Sequence, residues 1–136
     1  MGRKLAIDFG LKRTGIAITD EMNIIASGLT TVDSRELMAF LEKTVSEKNV
    51  DTIVLGEPKR LDHSDTHISQ NVRFLFEDLN KKFPLLKVVM LDERFTSKMA
   101  FQSMIDNGMS KKQRQNKGLV DEISATIILQ SYMSQL

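Results

Sequence analysis

Short apolar runs in the first quarter of the chain predict strands. Residues 5–9, apart from Asp8, and residues 16–19 are mainly apolar and flank a short linker rich in glycine and basic residues. This is the pattern of two antiparallel strands joined by a basic turn. Residues 24–32 have the composition of a third strand, so the chain is expected to open with a three-stranded antiparallel meander.

Helical patterns follow the meander. Asp33 and Glu36 have the spacing of a capping box, which predicts a helix over residues 34–48. Residues 65–82 carry a second apolar stripe at helical spacing. Residues 119–133 are apolar on more than one side, which predicts a helix packed deep against a sheet.

Two further strands alternate with these helices and fix the fold class. Residues 52–55 and 88–91 are continuous apolar runs, typical of strands buried on both faces of a parallel sheet. Another helix is predicted from Thr96 or Ser97 to about residue 107. The order predicts an α/β fold with a five-stranded mixed sheet, in which two parallel strands join the meander and helices cover both faces. We expect a single domain over residues 1–136.

Composition restricts the chemistry that this domain can perform. The 136 residues include no cysteine and two histidines, so any metal site is expected to use oxygen ligands and a hard cation. His63 and His67 have i, i+4 spacing, but no Glu or Cys partner pattern supports a zinc site. The chain has no apolar run near the roughly 18 residues of a membrane span and no signal-peptide pattern, so a cytoplasmic protein without membrane contact is expected.

Basic residues are concentrated in one part of the chain, although the formal net charge is only +1. Between residues 94 and 118 there are six basic residues and one acidic residue, Asp106. The basic ones are Arg94, Lys98, Lys111, Lys112, Arg114 and Lys117. Residues 110–117 contain no acid; such a run is commonly a solvated loop, but nucleic-acid backbones also require a basic track of this kind.

Carboxylates follow the predicted parallel strands, where ligands collect in open sheets of this type. Asp8 lies in an apolar strand, where its charge is costly unless a cation or hydrogen bonds compensate it. Either a divalent metal or an ion pair with Lys12 or Arg13 could do so. Glu57 and the neighbouring pair Asp92 and Glu93 follow the later strands.

Phosphodiester cleavage by two metal ions requires several carboxylates around cations about 4 Å apart. Asp8, Glu93 and Asp121 come from distant parts of the chain, as such a cluster requires, and Mg²⁺ suits these ligands. Asp92 and Glu93 would point to opposite faces of a strand, so only one can join. Asp121, expected in the first turn of the last helix, could also merely complement the positive helix end.

Three motifs together resemble one family. They are DFGLKRTGIAITD at residues 8–20, DERFTS at 92–97 and KGLVDEISATIILQ at 117–130. In this order and in a chain of this length, they resemble the YqgF family of Holliday-junction-resolvase-like proteins, which are also described as pre-16S ribosomal RNA nucleases. The first motif alone is weak, because a similar glycine pattern opens the phosphate loop of actin-like ATPases. An actin-like role is the least favoured, since that fold uses two such domains.

The resemblance implies a ribonuclease H-like fold and a metal-dependent nuclease that trims the 5′ end of 16S ribosomal RNA. It implies that Asp8, Glu93 and Asp121 bind catalytic Mg²⁺ or Mn²⁺, and that Lys12, Arg13 and Arg94 contact phosphates. Lys111, Lys112, Arg114 and Lys117 are expected to hold the strand as well. Glu57 stands where many relatives have an apolar residue; it could be an additional metal ligand or pair with Lys59 or Arg60.

The sequence is also compatible with two other functions. A four-way DNA junction resolvase would need two active sites and hence a homodimer. A non-catalytic nucleic-acid or ribosome-binding module would use the carboxylates only for structure. The expected partners are therefore structured RNA, branched DNA as the alternative, and a pre-ribosomal particle, with the protein acting as a monomer or homodimer.

Overall fold

The computed structural model describes residues 2–57, 69–92 and 117–135. Within these ranges the chain forms five strands and three α-helices. The strands are β1 (Arg3–Phe9), β2 (Arg13–Thr19), β3 (Ala26–Asp33), β4 (Val50–Glu57) and β5 (Lys87–Asp92). The helices are α1 (Leu37–Glu47), which follows a 3-10 turn at Ser34–Glu36, α2 (Ser69–Lys82) and α3 (Lys117–Met133).

The five strands form one mixed sheet in the order β3-β2-β1-β4-β5. β1, β2 and β3 pair antiparallel, whereas β4 pairs parallel with both β1 and β5. The predicted meander with two added parallel strands is thus confirmed. β1 is the central strand, so its carboxyl end lies between the meander and the parallel half of the sheet.

Helices cover both faces of the sheet, because alternate strand residues point to opposite sides. On one face, strand residues such as Leu5, Ile16 and Ile53 form a core with Leu41 of α1 and Leu79 of α2. We call this the α1/α2 face. On the other, which we call the α3 face, the smaller strand residues Ala6, Ala17 and Val54 pack against α3 through Ala125, Ile128 and Leu129.

The small side chains on the α3 face let the helix approach the strands closely. A Cβ added at Gly15 of β2 would overlap the carbonyl group of Asp121 and lie 2.9 Å from the backbone nitrogen of Glu122. A Cβ at Gly28 of β3 would lie 3.2 Å from the carboxylate oxygen of Glu122. The first half of α3 therefore rests on glycine positions of the meander.

The third strand begins two residues later than predicted. Ile24 and Ile25 belong to the preceding turn and are 68% and 61% exposed. Their backbone N–H groups donate to the Asp20 carboxylate at 2.7 and 2.9 Å, which also lowers the pKa of Asp20. Local hydrogen bonding to an aspartate thus overrides the β-propensity of two isoleucines.

The helix boundaries also differ from the predicted ones. Asp33 caps the 3-10 turn by accepting the Arg35 N–H at 2.9 Å, but the capping position before α1, Glu36, makes no side-chain cap hydrogen bond. α3 begins at Lys117, two residues before the predicted start, because Lys117 and Gly118 carry no apolar pattern that could mark it. Four predicted features lie outside the described residues: the helix from Thr96 or Ser97 to about residue 107, the start of the predicted helix at 65–68, His63 and His67.

No helix in the described ranges is both long enough and apolar enough to cross a membrane.

Candidate functional site

Asp8 and the backbone of Asp121 both lie next to Gly15, on the α3 face. Asp8 is the penultimate residue of β1 and pairs with Gly15 of β2, so the two residues share one face of the sheet. The peptide carbonyl of Asp121 lies against Gly15, at the place where another residue would carry its Cβ. Two of the three predicted metal ligands, from opposite ends of the chain, are therefore neighbours of the same glycine.

Asp121 also contacts Arg13, the residue at which β2 begins. The Arg13 Nε donates to Asp121 Oδ2 at 3.3 Å, between side chains that are 41% and 26% exposed. The two residues are 108 positions apart in the sequence. A predicted phosphate-binding cation and a predicted metal ligand are thus direct neighbours.

The position of Asp121 within its helix corrects a sequence-based expectation. Because α3 begins at Lys117, Asp121 is the fifth helical residue, and the first turn of α3 contains no acid. The favourable field of a helix N-terminus falls off within the first turn. The prediction that Asp121 lies in that turn was wrong, and the reading of Asp121 as a helix-end charge loses its basis.

Glu57 and Asp92 end neighbouring strands but lie on the opposite face. They are paired in the register of β4 and β5. Leu55 and Met90, two residues earlier in each strand, pack in the core of the α1/α2 face. Strand alternation therefore puts Glu57 and Asp92 on that face, away from Asp8, which argues against Glu57 sharing a cation with Asp8.

Several predicted site residues lie outside the part of the chain that the structure describes. Glu93, Arg94, Lys111, Lys112 and Arg114 lie outside the described residues, as do Lys59 and Arg60, and Lys117 is described only as the first position of α3. Within residues 2–57, 69–92 and 117–135, no three His, Asp or Glu side chains are grouped as a metal site. The third predicted ligand, Glu93, is not among these residues, so the three-carboxylate cluster stays a prediction.

The basic turn, residues 10–13, projects from the same end of the sheet as Asp8. Lys12 is exposed, and Leu11 beside it is 60% exposed. Ser34, which begins the 3-10 turn, donates its backbone N–H to the Lys12 carbonyl at 3.0 Å and its hydroxyl to the Gly10 carbonyl at 2.5 Å. This role of Ser34 could not be predicted from the sequence, because the only sign of it there is a helix-cap composition.

A family model described as RuvX, Holliday junction resolvase, matches residues 2–135. A protein of Flavobacterium johnsoniae named "Putative pre-16S rRNA nuclease" is 53% identical over 134 residues, covering 98% of this chain and 97% of that protein. Proteins of the same name from Christiangramia forsetii and Phocaeicola vulgatus are 52% and 51% identical over 133 residues. Each match covers 98% of this chain, with 98% and 96% of the two relatives.

Two solved structures are similar in fold. The fowlpox virus Holliday junction resolvase superposes with a TM-score of 0.63 and 12% identity, covering 98% of this chain and 99% of that one. RuvC of T. thermophilus in complex with a Holliday junction substrate gives a TM-score of 0.57 and 13% identity, covering 98% and 96%. At such identity the likeness concerns the fold alone, and it confirms the predicted ribonuclease H-like architecture.

Proposed function

The chain belongs to the RuvX family, described as Holliday junction resolvase, and from this premise we propose that it is a metal-dependent nuclease that hydrolyses phosphodiester bonds in structured RNA. The names of the relatives suggest the substrate, the 5′ region of precursor 16S ribosomal RNA. The observation that supports the proposal is that Asp8 and the Asp121 backbone both lie next to Gly15, while Arg13 is hydrogen-bonded to the Asp121 carboxylate. It juxtaposes carboxylates with a cation suited to phosphate.

The donor set fits a hard divalent cation. Asp8 and Asp121 offer only carboxylate oxygens, and the chain has no cysteine that would favour a softer metal. We propose that Asp8, Glu93 and Asp121 hold Mg²⁺ or Mn²⁺. When bound, such ions supply Lewis-acid activation of the phosphate and of the attacking water. Glu57 is left out of this set, because strand alternation puts it on the α1/α2 face.

The basic residues of the chain bind and orient the strand. Lys12, exposed on the basic turn, contacts a phosphate beside the cleaved bond, and Arg13, the last residue of that turn, is hydrogen-bonded to Asp121. Arg94, Lys111, Lys112, Arg114 and Lys117 extend the track along the strand. Hydrolysis then adds water across one phosphorus–oxygen bond, and leaves one phosphate monoester and one hydroxyl end.

The test of this proposal is the Asp8→Asn variant, which keeps the size of the side chain but removes its charge. We expect it to abolish cleavage of a precursor 16S RNA carrying its 5′ extension, in Mg²⁺ and in Mn²⁺, while circular dichroism and the melting temperature stay close to those of the unaltered protein. Glu93→Gln and Asp121→Asn should behave alike. Asp78→Asn, an exposed aspartate of α2, is the matched control and should cleave normally. Unchanged cleavage by Asp8→Asn would reject this site.

A second candidate substrate is a four-way DNA junction, which the family description favours. Resolution of a junction requires two active sites and therefore a homodimer. Cleavage of a labelled junction and of the precursor RNA should be measured side by side, with light scattering on the same sample. Junction cleavage by a dimer, without RNA cleavage, would show that the substrate is the DNA junction and not RNA. RNA binding without any cleavage would instead indicate a non-catalytic module.

A further inference from the structure

Two hydrogen bonds from Ser34 tie the basic turn to an element that is distant in sequence, and a third joins Ser34 to β2. Ser34 follows the last residue of β3, and its N–H donates to Lys12 O at 3.0 Å. Its hydroxyl donates to Gly10 O at 2.5 Å and lies 2.8 Å from the hydroxyl of Thr14. Two carbonyl groups of a four-residue turn are therefore held by one serine.

The donors in this network can be assigned from the proton count. A serine hydroxyl has a single hydrogen, which the carbonyl of Gly10 receives because a carbonyl cannot donate. The Thr14 hydroxyl must then donate to the Ser34 oxygen. Thr14 is fully buried in β2, so the sheet holds the donor of this hydrogen bond in place. Ser34 thus links a rigid strand to the basic turn.

The neighbour of Ser34 is also fixed in place. The Asp33 carboxylate accepts hydrogen bonds from the side chain of Arg35 at 2.8 and 3.1 Å and from its N–H at 2.9 Å. These contacts lower the pKa of Asp33 to about 2, so the cap is ionised at neutral pH. Asp33 also pairs with Arg13 in the register of β2 and β3. The end of β3, just before Ser34, is therefore held by its pairing with β2 and by the hydrogen bonds between Asp33 and Arg35.

We propose that Ser34, supported by Thr14, is a positioning residue for nucleic-acid binding. It holds the basic turn so that Lys12 and Arg13 are already positioned beside the proposed site of Asp8 and Asp121 before the nucleic acid binds. This inference rests on the proposed function, since it assigns these two cations to phosphates. A turn that is already ordered loses less conformational entropy on binding, and its contacts cost less to form.

The test compares Ser34→Ala and Thr14→Val with Ser27→Ala, the same kind of truncation at an exposed position of β3. Affinity for a fluorescein-labelled RNA hairpin is measured in EDTA, so that no cleavage occurs. Hydrogen–deuterium exchange of residues 10–13 reports the order of the turn. We expect faster exchange in the turn and a loss of affinity of roughly three- to tenfold for Ser34→Ala. Ser27→Ala should change neither quantity.

A background carrying both Lys12→Ala and Arg13→Ala separates positioning from general destabilisation. If Ser34 acts through these two cations, Ser34→Ala should cause little further loss of affinity in that background. An equal loss in both backgrounds, or an affinity of Ser34→Ala equal to that of the unaltered protein, would overturn the inference.

Cleavage assays on the same proteins keep the two proposals apart. RNA binding that depends on Ser34, in a protein that does not cleave, would reject the nuclease proposal and support the positioning role. Cleavage by the unaltered protein together with normal binding by Ser34→Ala would reject only the positioning role. Absence of RNA binding by the unaltered protein would overturn both.

Discussion

The contact between Arg13 and Asp121 decides how a cation could enter the site. A guanidinium beside a carboxylate offsets part of the negative charge that would attract a divalent ion. Both side chains are partly exposed, at 41% and 26%, so water screens the pair and its net contribution is about 1 kcal/mol or less. A divalent cation can therefore compete for Asp121, and Arg13 can then turn toward a phosphate.

This competition predicts opposite effects of Arg13→Gln on two ligands. Affinity for Mg²⁺ without nucleic acid, measured by isothermal titration calorimetry, should rise by up to about fivefold, since the competing positive charge is gone. Affinity for RNA should fall, since a phosphate contact is lost. Arg3→Gln is the control, because Arg3 pairs with Glu21 near the start of β1, at 3.1 Å. A lower Mg²⁺ affinity in Arg13→Gln would contradict the competition.

At the scale of elements, the close docking of α3 on β2 determines the geometry of the site. Gly15 faces Asp8 across the hairpin and supports the backbone of Asp121 on its other side. Any side chain at this position must push α3 away from the sheet, because the atoms it would meet belong to backbone and cannot rotate aside. The separation of Asp8 and Asp121 is therefore controlled by a residue that has no side chain.

Gly15→Ala should lower the free energy of unfolding by about 1–3 kcal/mol, the usual cost of overpacking, as measured by urea denaturation. Cleavage should fall further than stability explains, because the shift of α3 moves Asp121 away from Asp8. Gly28→Ala is the matched control on the same face: its Cβ would meet the end of the flexible Glu122 side chain at 3.2 Å. The proposed geometry is wrong if Gly15→Ala cleaves at the normal rate under conditions where it is folded.

The sequence predicted the elements better than the way in which they meet. Apolar runs and stripes identified the five strands and the described helices, because burial on a sheet imposes those periods. The choice of Asp8 and Asp121 as candidates followed from residue type and strand position. That both are neighbours of Gly15 could not be predicted, since it depends on the β1–β2 register and on a helix that docks more than a hundred residues later.

Boundaries failed where local chemistry outweighed hydrophobic pattern. Asp20 holds Ile24 and Ile25 in a turn by accepting their N–H groups, although both residues have strand propensity. The basic residue Arg13 begins a strand that the pattern starts at residue 16, because pairing with β1 and β3 extends the ladder past the apolar run. This extension places Gly15 inside the strand, opposite Asp8.

At the scale of the whole molecule, the sheet order gathers the candidate site at the end of its central strand. β1 lies between β2 and β4 and also contacts α3. Residues from the meander, from the parallel strands and from α3 can therefore lie near the carboxyl end of β1. Open sheets bind ligands at such ends. The formal net charge of +1 gives no general attraction to nucleic acid, so binding has to depend on where the basic residues lie.

That dependence predicts a difference between two variants of equal net charge. Replacing Lys111, Lys112 and Arg114 by glutamine removes three charges from the acid-free segment 110–117, whereas replacing Lys43, Lys81 and Lys87 removes three exposed charges from α1, α2 and β5. Each phosphate contact contributes about 0.7 to 0.9 to the slope of log affinity against log salt concentration. The first variant should reduce that slope for RNA binding by up to about 2 to 3, and the second should leave it unchanged. Equal slopes for the two variants would mean that the segment is an ordinary solvated loop, and that the basic turn binds the strand without it.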